Sequence, residues 1–109
     1  MSNIKYCVIT TITNNYEPPR EPLEIDKNAD YYLLTDSKTI KSTYWKPIYV
    51  KEIDIDTLSG IQKNFILKYQ FYKYIPNLNK YSYLFFIDGS IQICKSFNTI
   101  INYLYMIKI

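Results

Sequence analysis

From Tyr6 to Ile12 the chain reads YCVITTI, β-branched and aromatic almost throughout, and then breaks at Asn14-Asn15. Such a run predicts a strand. The segment Glu17-Pro18-Pro19-Arg20-Glu21-Pro22 continues neither regular structure and predicts an exposed loop. Tyr31 to Thr35 gives a second short strand closed by Asp36-Ser37, and Tyr44 to Val50 a third, which Pro47 confines to a sheet edge or a bulge. Ser59-Gly60-Ile61-Gln62 has the S-x-x-Q form of a capping box, so a helix is expected from about Gly60. Along it Ile61, Phe65, Tyr69 and Tyr72 recur at helical spacing, and this aromatic-rich stripe is expected to lie on the sheet; Pro76 stops the helix after Ile75. Tyr83 to Ile87 predicts a fourth strand and Ile91 to Cys94 a short fifth, after which Phe97, Ile100, Ile101, Leu104 and Ile107 repeat as the apolar face of a closing helix. This order predicts one α/β domain over residues 1–109, its sheet mixed or mainly parallel and flanked by helices. The chain is expected to be either a compact small domain or the amino-terminal half of a larger α/β fold. It contains no internal repeat.

The fourth strand carries the chemistry. Leu84-Phe85-Phe86-Ile87 is the continuous apolar run of a strand covered on both faces, and Asp88-Gly89-Ser90 follows it directly. Two readings are open locally. In one, Asp88 stands at the carboxyl end of a buried strand, where open α/β sheets bind their ligands. In the other, Asp-Gly is the tight turn of a hairpin joining Tyr83–Ile87 to Ile91–Cys94. Asp36, at the end of the second strand, has the same two readings, with a turn or cap as the simpler one.

Composition narrows the classes without choosing a function. A chain of 109 residues that is 48% hydrophobic and 21% charged belongs to the globular class rather than the disordered one. Its thirteen tyrosines and numerous asparagines and isoleucines fit a coding bias better than a dedicated aromatic surface. Lys63, Lys68 and Lys73 fall in an acid-free stretch, but steps of five spread them around a helix, which predicts a solvated surface. With a net charge of only +3 and no basic stripe, no nucleic-acid partner is expected. Cys7 and Cys94 lack CxxC spacing and, in predicted strands, are expected to be small buried hydrophobes rather than a disulfide. The opening MSNIKYCVITTIT lacks the parts of a signal peptide, and no apolar segment is long enough to span a membrane; a reducing, aqueous compartment is the default expectation.

Histidine is absent, which excludes Ser-His-Asp and Cys-His arrangements and any His-based metal site within this sequence. The two glycines, Gly60 and Gly89, form no phosphate-cradling loop motif. Asp88 remains as a carboxylate able to ligate Mg²⁺ or Mn²⁺, with Ser90 offering an oxygen and Gly89 allowing close approach of backbone and ligand.

Residues Leu67 to Ile93, LKYQFYKYIPNLNKYSYLFFIDGSIQI, resemble the glycosyltransferase-like family, long catalogued as a domain of unknown function, that includes plant mucilage-related hexosyltransferases and a turgor-regulating protein. Members show a lysine-containing helix, a proline, a Tyr-Asp-Tyr-like lead-in and an apolar strand ending in Asp-Gly-Ser, Asp-Gly-Asn or Asp-Gly-Thr. The corresponding positions are Lys68, Pro76, Tyr81-Ser82-Tyr83 and Asp88-Gly89-Ser90. Upstream, VITTITNNYEPP, ADYYLLTDS and Trp45-Lys46 agree in order with the family's opening segments. The resemblance implies a GT-A-like, Rossmann-like half that binds a nucleotide-sugar donor. It implies Asp88 as the metal and donor carboxylate, Ser90 as its partner oxygen, Lys68 as a phosphate or structural lysine, and Asp36 and Gly89 within the donor site, with Mn²⁺ or Mg²⁺ as cofactor. This motif ends in Ser where a second carboxylate would strengthen a metal site, and Gln62-Lys63 stand where the family carries an arginine.

Only residues 91–109 follow the Asp motif, so the resemblance implies the donor-binding amino-terminal part of a hexosyltransferase, with the acceptor half, the catalytic base and the glycan or protein acceptor lying elsewhere. A partner covering the closing helix is expected on the same ground. The alternative from another class is a small non-catalytic α/β binding or interaction module.

Overall fold

The structure, a computed structural model, describes residues 5–98, 100 and 101. Four strands, β1 (Tyr6–Ile12), β2 (Ala29–Thr35), β3 (Lys46–Tyr49) and β4 (Tyr83–Phe86), form one sheet in the order β3-β2-β1-β4. Every neighbouring pair is parallel, with Tyr6 opposite both Ala29 and Tyr83, and Tyr32 opposite Lys46. The α/β class expected from the pattern is therefore present, in its wholly parallel form. Pro47 lies on the edge strand β3, where its missing N–H leaves no gap inside the ladder. Ile91–Cys94 forms no strand. Its backbone is used singly, with the Ile93 carbonyl accepting from the Leu23 amide at 2.8 Å.

Alternation along β1 divides the core into two layers. Tyr6, Val8 and Ile12 face Tyr31, Leu33, Trp45, Ile93 and Ile101 on one side of the sheet, and Cys7 and Ile9 face Tyr32, Leu34, Val50, Ile53, Leu67 and Ile75 on the other. The first layer is covered by irregular chain. Glu21 clasps the turn before β3 by accepting from the Ser42 hydroxyl and the Thr43 and Tyr44 amides, and the Trp45 indole N–H donates to the Arg20 carbonyl at 3.0 Å. Phe97 packs edge-on to Phe85 at 4.6 Å between ring centres, and the Ile101 amide bonds back to the Phe97 carbonyl in a helical turn. Of the predicted closing helix, Leu104 and Ile107 lie outside the described residues.

The second layer is covered by α1 (Gly60–Gln70), which begins at the Ser59/Gln62 capping box as expected and passes into a 3₁₀ turn at Phe71–Lys73, ahead of Pro76. Its inward face is the reverse of the expected one. Lys63 and Leu67 are buried, while Ile61, Phe65, Tyr69 and Tyr72 are 84%, 64%, 60% and 53% exposed. The reason is electrostatic. The Lys63 ammonium sits 2.6 Å from the Asp36 carboxylate, both side chains 6% exposed, and also donates to Asn14 Oδ1 at 2.8 Å. Asp36 in turn accepts from the Asn14 amide at 3.0 Å. Lys63 is thus a core residue rather than the solvated lysine its spacing predicts, and Asn14 and Asn15 take left-handed conformations (φ 55° and 50°) that asparagine tolerates.

At the amino edge of the sheet Asp30 accepts from the Tyr81 hydroxyl at 2.5 Å and pairs with Lys46 and Lys80 at 3.3 and 3.5 Å. Burial alone would raise its carboxyl, but the Tyr81 bond and the two ammonium groups together hold it below the usual carboxylate range. Cys7 lies in the core beneath, where desolvation pushes its thiol up to about 12. Cys94, expected to be buried, is exposed because its segment is not a strand.

Two outcomes follow from this packing. Under native conditions a chromogenic disulfide reagent should titrate Cys94 rapidly and Cys7 only after denaturant is added, because the reactive species is the thiolate. Lys63→Met, which leaves Asp36 as an unpaired buried carboxylate, should lower the unfolding free energy by about 3–5 kcal/mol in a urea titration, and Lys63→Met with Asp36→Asn should recover most of that loss.

Candidate functional site

The strand order places a topological switch point between β1 and β4. The chain steps outward from β1 through β2 to β3 and then crosses back to pair β4 on the other side of β1. At such a point the loops leaving the carboxyl ends of two adjacent strands diverge and open a crevice. Here the crevice holds about 240 Å³ and is lined by Thr11, Tyr16, Asn64, Lys68, Phe86 and Asp88. Its floor is the ends of β1 and β4, and one wall is the Asn64/Lys68 side of α1, whose spacing of four residues puts both on one helix face.

Asp88 and Ser90 form a compact oxygen pair. The Asp88 carboxylate accepts, through Oδ1, from the Ser90 amide at 2.9 Å and the Ser90 hydroxyl at 3.0 Å, while the Asp88 carbonyl closes the turn by accepting from the Ile91 amide at 3.0 Å. The hairpin alternative is removed, since β4 pairs with β1 in parallel and no described glycine has a positive φ. Gly89 makes a close approach within the chain itself. It is buried against β1, where a Cβ would run into the Thr11 carbonyl oxygen and lie 2.9 Å from the Tyr16 hydroxyl. The close approach is between two parts of the chain, and it draws the β4 loop onto the crevice rim.

Asn64 is held by Thr11, whose hydroxyl lies 3.1 Å from Asn64 Oδ1, and by Thr13, at 3.3 Å. The Thr10 hydroxyl donates to the Ile87 carbonyl at 2.9 Å and fixes the last residue before Asp88. Partial burial first, and then the charges of Glu17 and Asp88, keep the Tyr16 phenol protonated to higher pH than an ordinary one. The crevice therefore combines one ammonium, one carboxylate, an amide, two hydroxyls and the ring of Phe86.

Of the residues expected at the site, Asp88 and Lys68 line the crevice and Gly89 and Ser90 form its rim. Asp36 emerges at the same carboxyl edge but is absent from the lining, its carboxylate engaged by Lys63 and Asn14. Thr11, Tyr16, Asn64 and Phe86 were not singled out by the sequence. Asn64 alone left a readable sign, its position one helical turn before Lys68 on a helix opened by a capping box.

A hard divalent cation needs about six oxygens. Among the described residues no cluster of three or more acidic, cysteine or histidine side chains could hold one. Asp88 and Ser90 supply two oxygens. This donor set fits a cation that arrives with the phosphate oxygens of a ligand and keeps part of its water, the usual habit of Mg²⁺.

A scan against protein-family models, a search of curated proteins and a search of solved structures each return no match for this chain.

The packing of Gly89 gives a direct check on the rim. Gly89→Ala should destabilise the protein by about 1–3 kcal/mol in chemical denaturation, the cost of forcing a methyl group into a filled space. Ser90→Ala, exposed and able to keep its backbone bond to Asp88, should cost much less.

Proposed function

We propose that the chain binds a nucleotide-diphosphate sugar in the switch-point crevice and serves as the donor-binding part of a glycosyltransferase-like protein. The observation that carries this reading is the convergence of Lys68, Asn64 and Asp88 at the carboxyl ends of β1 and β4. Lys68 and Asn64 offer donors to phosphate oxygens from one wall, and Asp88 faces them from the other. Such a pairing suits a ligand with an anionic diphosphate and hydroxyl-bearing sugars, because a carboxylate accepts from hydroxyls while an ammonium neutralises the phosphates. The Phe86 ring supplies an apolar surface for a base or a sugar face. The likeness of Leu67–Ile93 to the glycosyltransferase-like family supports the same assignment.

A Mn²⁺ or Mg²⁺ ion bound with the donor would be held by Asp88 and the Ser90 hydroxyl, and would offset the repulsion between the carboxylate and the diphosphate. The chain's own groups orient the donor. Lys68 fixes the diphosphate, Tyr16 donates from the β1 loop, and Thr11 keeps the Asn64 amide in place. Transfer to a glycan or protein acceptor requires an acceptor-binding part, and no residue described here is assigned as its base.

Calorimetric titration with uridine and guanosine diphosphates tests the reading. Lys68→Ala should weaken binding by about tenfold or more with or without Mn²⁺, the worth of one charge-assisted hydrogen bond. Asp88→Asn should abolish the additional affinity that Mn²⁺ confers while leaving the fold intact, since its side chain is exposed and its bonds are confined to Ser90. Equal, weak binding by all the folded proteins in every condition would sink the donor-site assignment.

A further inference from the structure

The reversal of α1 leaves an aromatic stripe on the outside of the molecule. Leu58, Ile61, Phe65 and Ile66, with Gln62, line a shallow groove of about 370 Å³ at the amino end of the helix. Toward the carboxyl end stand Tyr69, whose ring is 4.7 Å from that of Phe65, and Tyr72. Opposite charges flank the stripe. Asp56 precedes the helix, whereas Lys73 stands in the 3₁₀ turn that follows it, and residues 57–87 contain no acid at all. Asp56 and Lys73 are both exposed, and neither belongs to an ion pair among the described residues.

We propose that this stripe is a self-complementary docking face on which a second copy of the chain seats, with the two α1 helices antiparallel. Phe65 is the midpoint of the stripe, with Ile61 four residues before it and Tyr69 four after. A twofold axis at Phe65 therefore sets Ile61 against Tyr69 of the second copy and Leu58 against its Tyr72, so that two tyrosine rings enter the groove at the amino end of the facing helix. The same axis carries Asp56 to the neighbourhood of Lys73 of the second copy, twice over. An isologous interface repeats each contact in this way, and opposite charges at the two ends of one helix become matched pairs only when the helices run in opposite directions. A uniformly anionic surface, such as a lipid headgroup layer, would attract the lysine end and repel the aspartate end. The antiparallel copy satisfies both.

Sedimentation velocity over a concentration series tests the proposal. The wild type should pass from monomer to dimer as concentration rises, and Phe65→Asp should remain monomeric. Because Phe65 is largely exposed, that variant should keep the wild-type circular dichroism and urea midpoint. Asp56→Lys and Lys73→Asp should each weaken dimerisation by about tenfold, as two symmetry-related ion pairs become like-charge pairs. The two changes in one chain, or an equimolar mixture of the single variants, should restore it. A wild type that stays monomeric at every soluble concentration, a dimer indifferent to Phe65→Asp, or single charge variants that fail to rescue one another would overturn the proposal. So would retention on anionic phosphatidylserine vesicles by a protein that remains monomeric.

Discussion

A lysine ammonium buried against an aspartate carboxylate decides how this molecule is assembled at the carboxyl ends of its strands. The pair is costly to desolvate, and it persists because its groups are shared out. Asp36 accepts from Lys63 and the Asn14 amide, and Lys63 donates to Asp36 and the Asn14 side chain. One cluster thereby ties the ends of β1 and β2 to the second turn of α1. It also fixes the helix's rotation about its axis. Residues two positions from Lys63 lie about 200° around a helix of 3.6 residues per turn, so burying Lys63 turns Ile61 and Phe65 to solvent. Asn64 and Lys68 consequently stand over the crevice between β1 and β4.

The two edges of the sheet are finished differently. At the amino edge, Asp30 gathers Tyr81, Lys46 and Lys80 into a cluster whose charges answer one another. At the carboxyl edge, Asp36 is likewise answered, but Lys68 and Asp88 line an open crevice instead of pairing in the described contacts. The asymmetry follows from parallel topology, in which loops leaving the carboxyl ends of strands on either side of a switch point must part. Thr10, Thr11 and Thr13 bond across from the end of β1 to the β4 end and to α1.

Much of this was legible in the sequence. YCVITTI and YLFF gave strands because their β-branched and aromatic content leaves little competition, and Ser59/Gln62 marked the helix start because a capping box satisfies local donors regardless of tertiary context. Asp88 at the end of an apolar run was legible for the same local reason. The roll of α1 was not. Hydrophobic periodicity assigns the aromatic side inward, and it is overruled by a partner for Lys63 that is 27 residues away in the chain. Ile91–Cys94 was misread because four residues of strand-like composition say nothing about whether a neighbour is available to pair. Thr11, Tyr16 and Phe86 were invisible as site residues, since only the strand order brings the ends of β1 and β4 together.

That order also sets a sequence of events. β1 lies at the middle of the sheet, yet its second neighbour, β4, is separated from it by both other strands and α1. Among the described residues no two strands are joined as a hairpin, so no tight local turn there can start the sheet, and each pairing must close a long loop first. During synthesis β1 can gain β2 early, but one of its edges stays bare until Tyr83–Phe86 has emerged. The crevice, built across that last pairing, is then the final part of the sheet to exist. Until that moment an apolar strand with an open ladder is available to any other chain that reaches it.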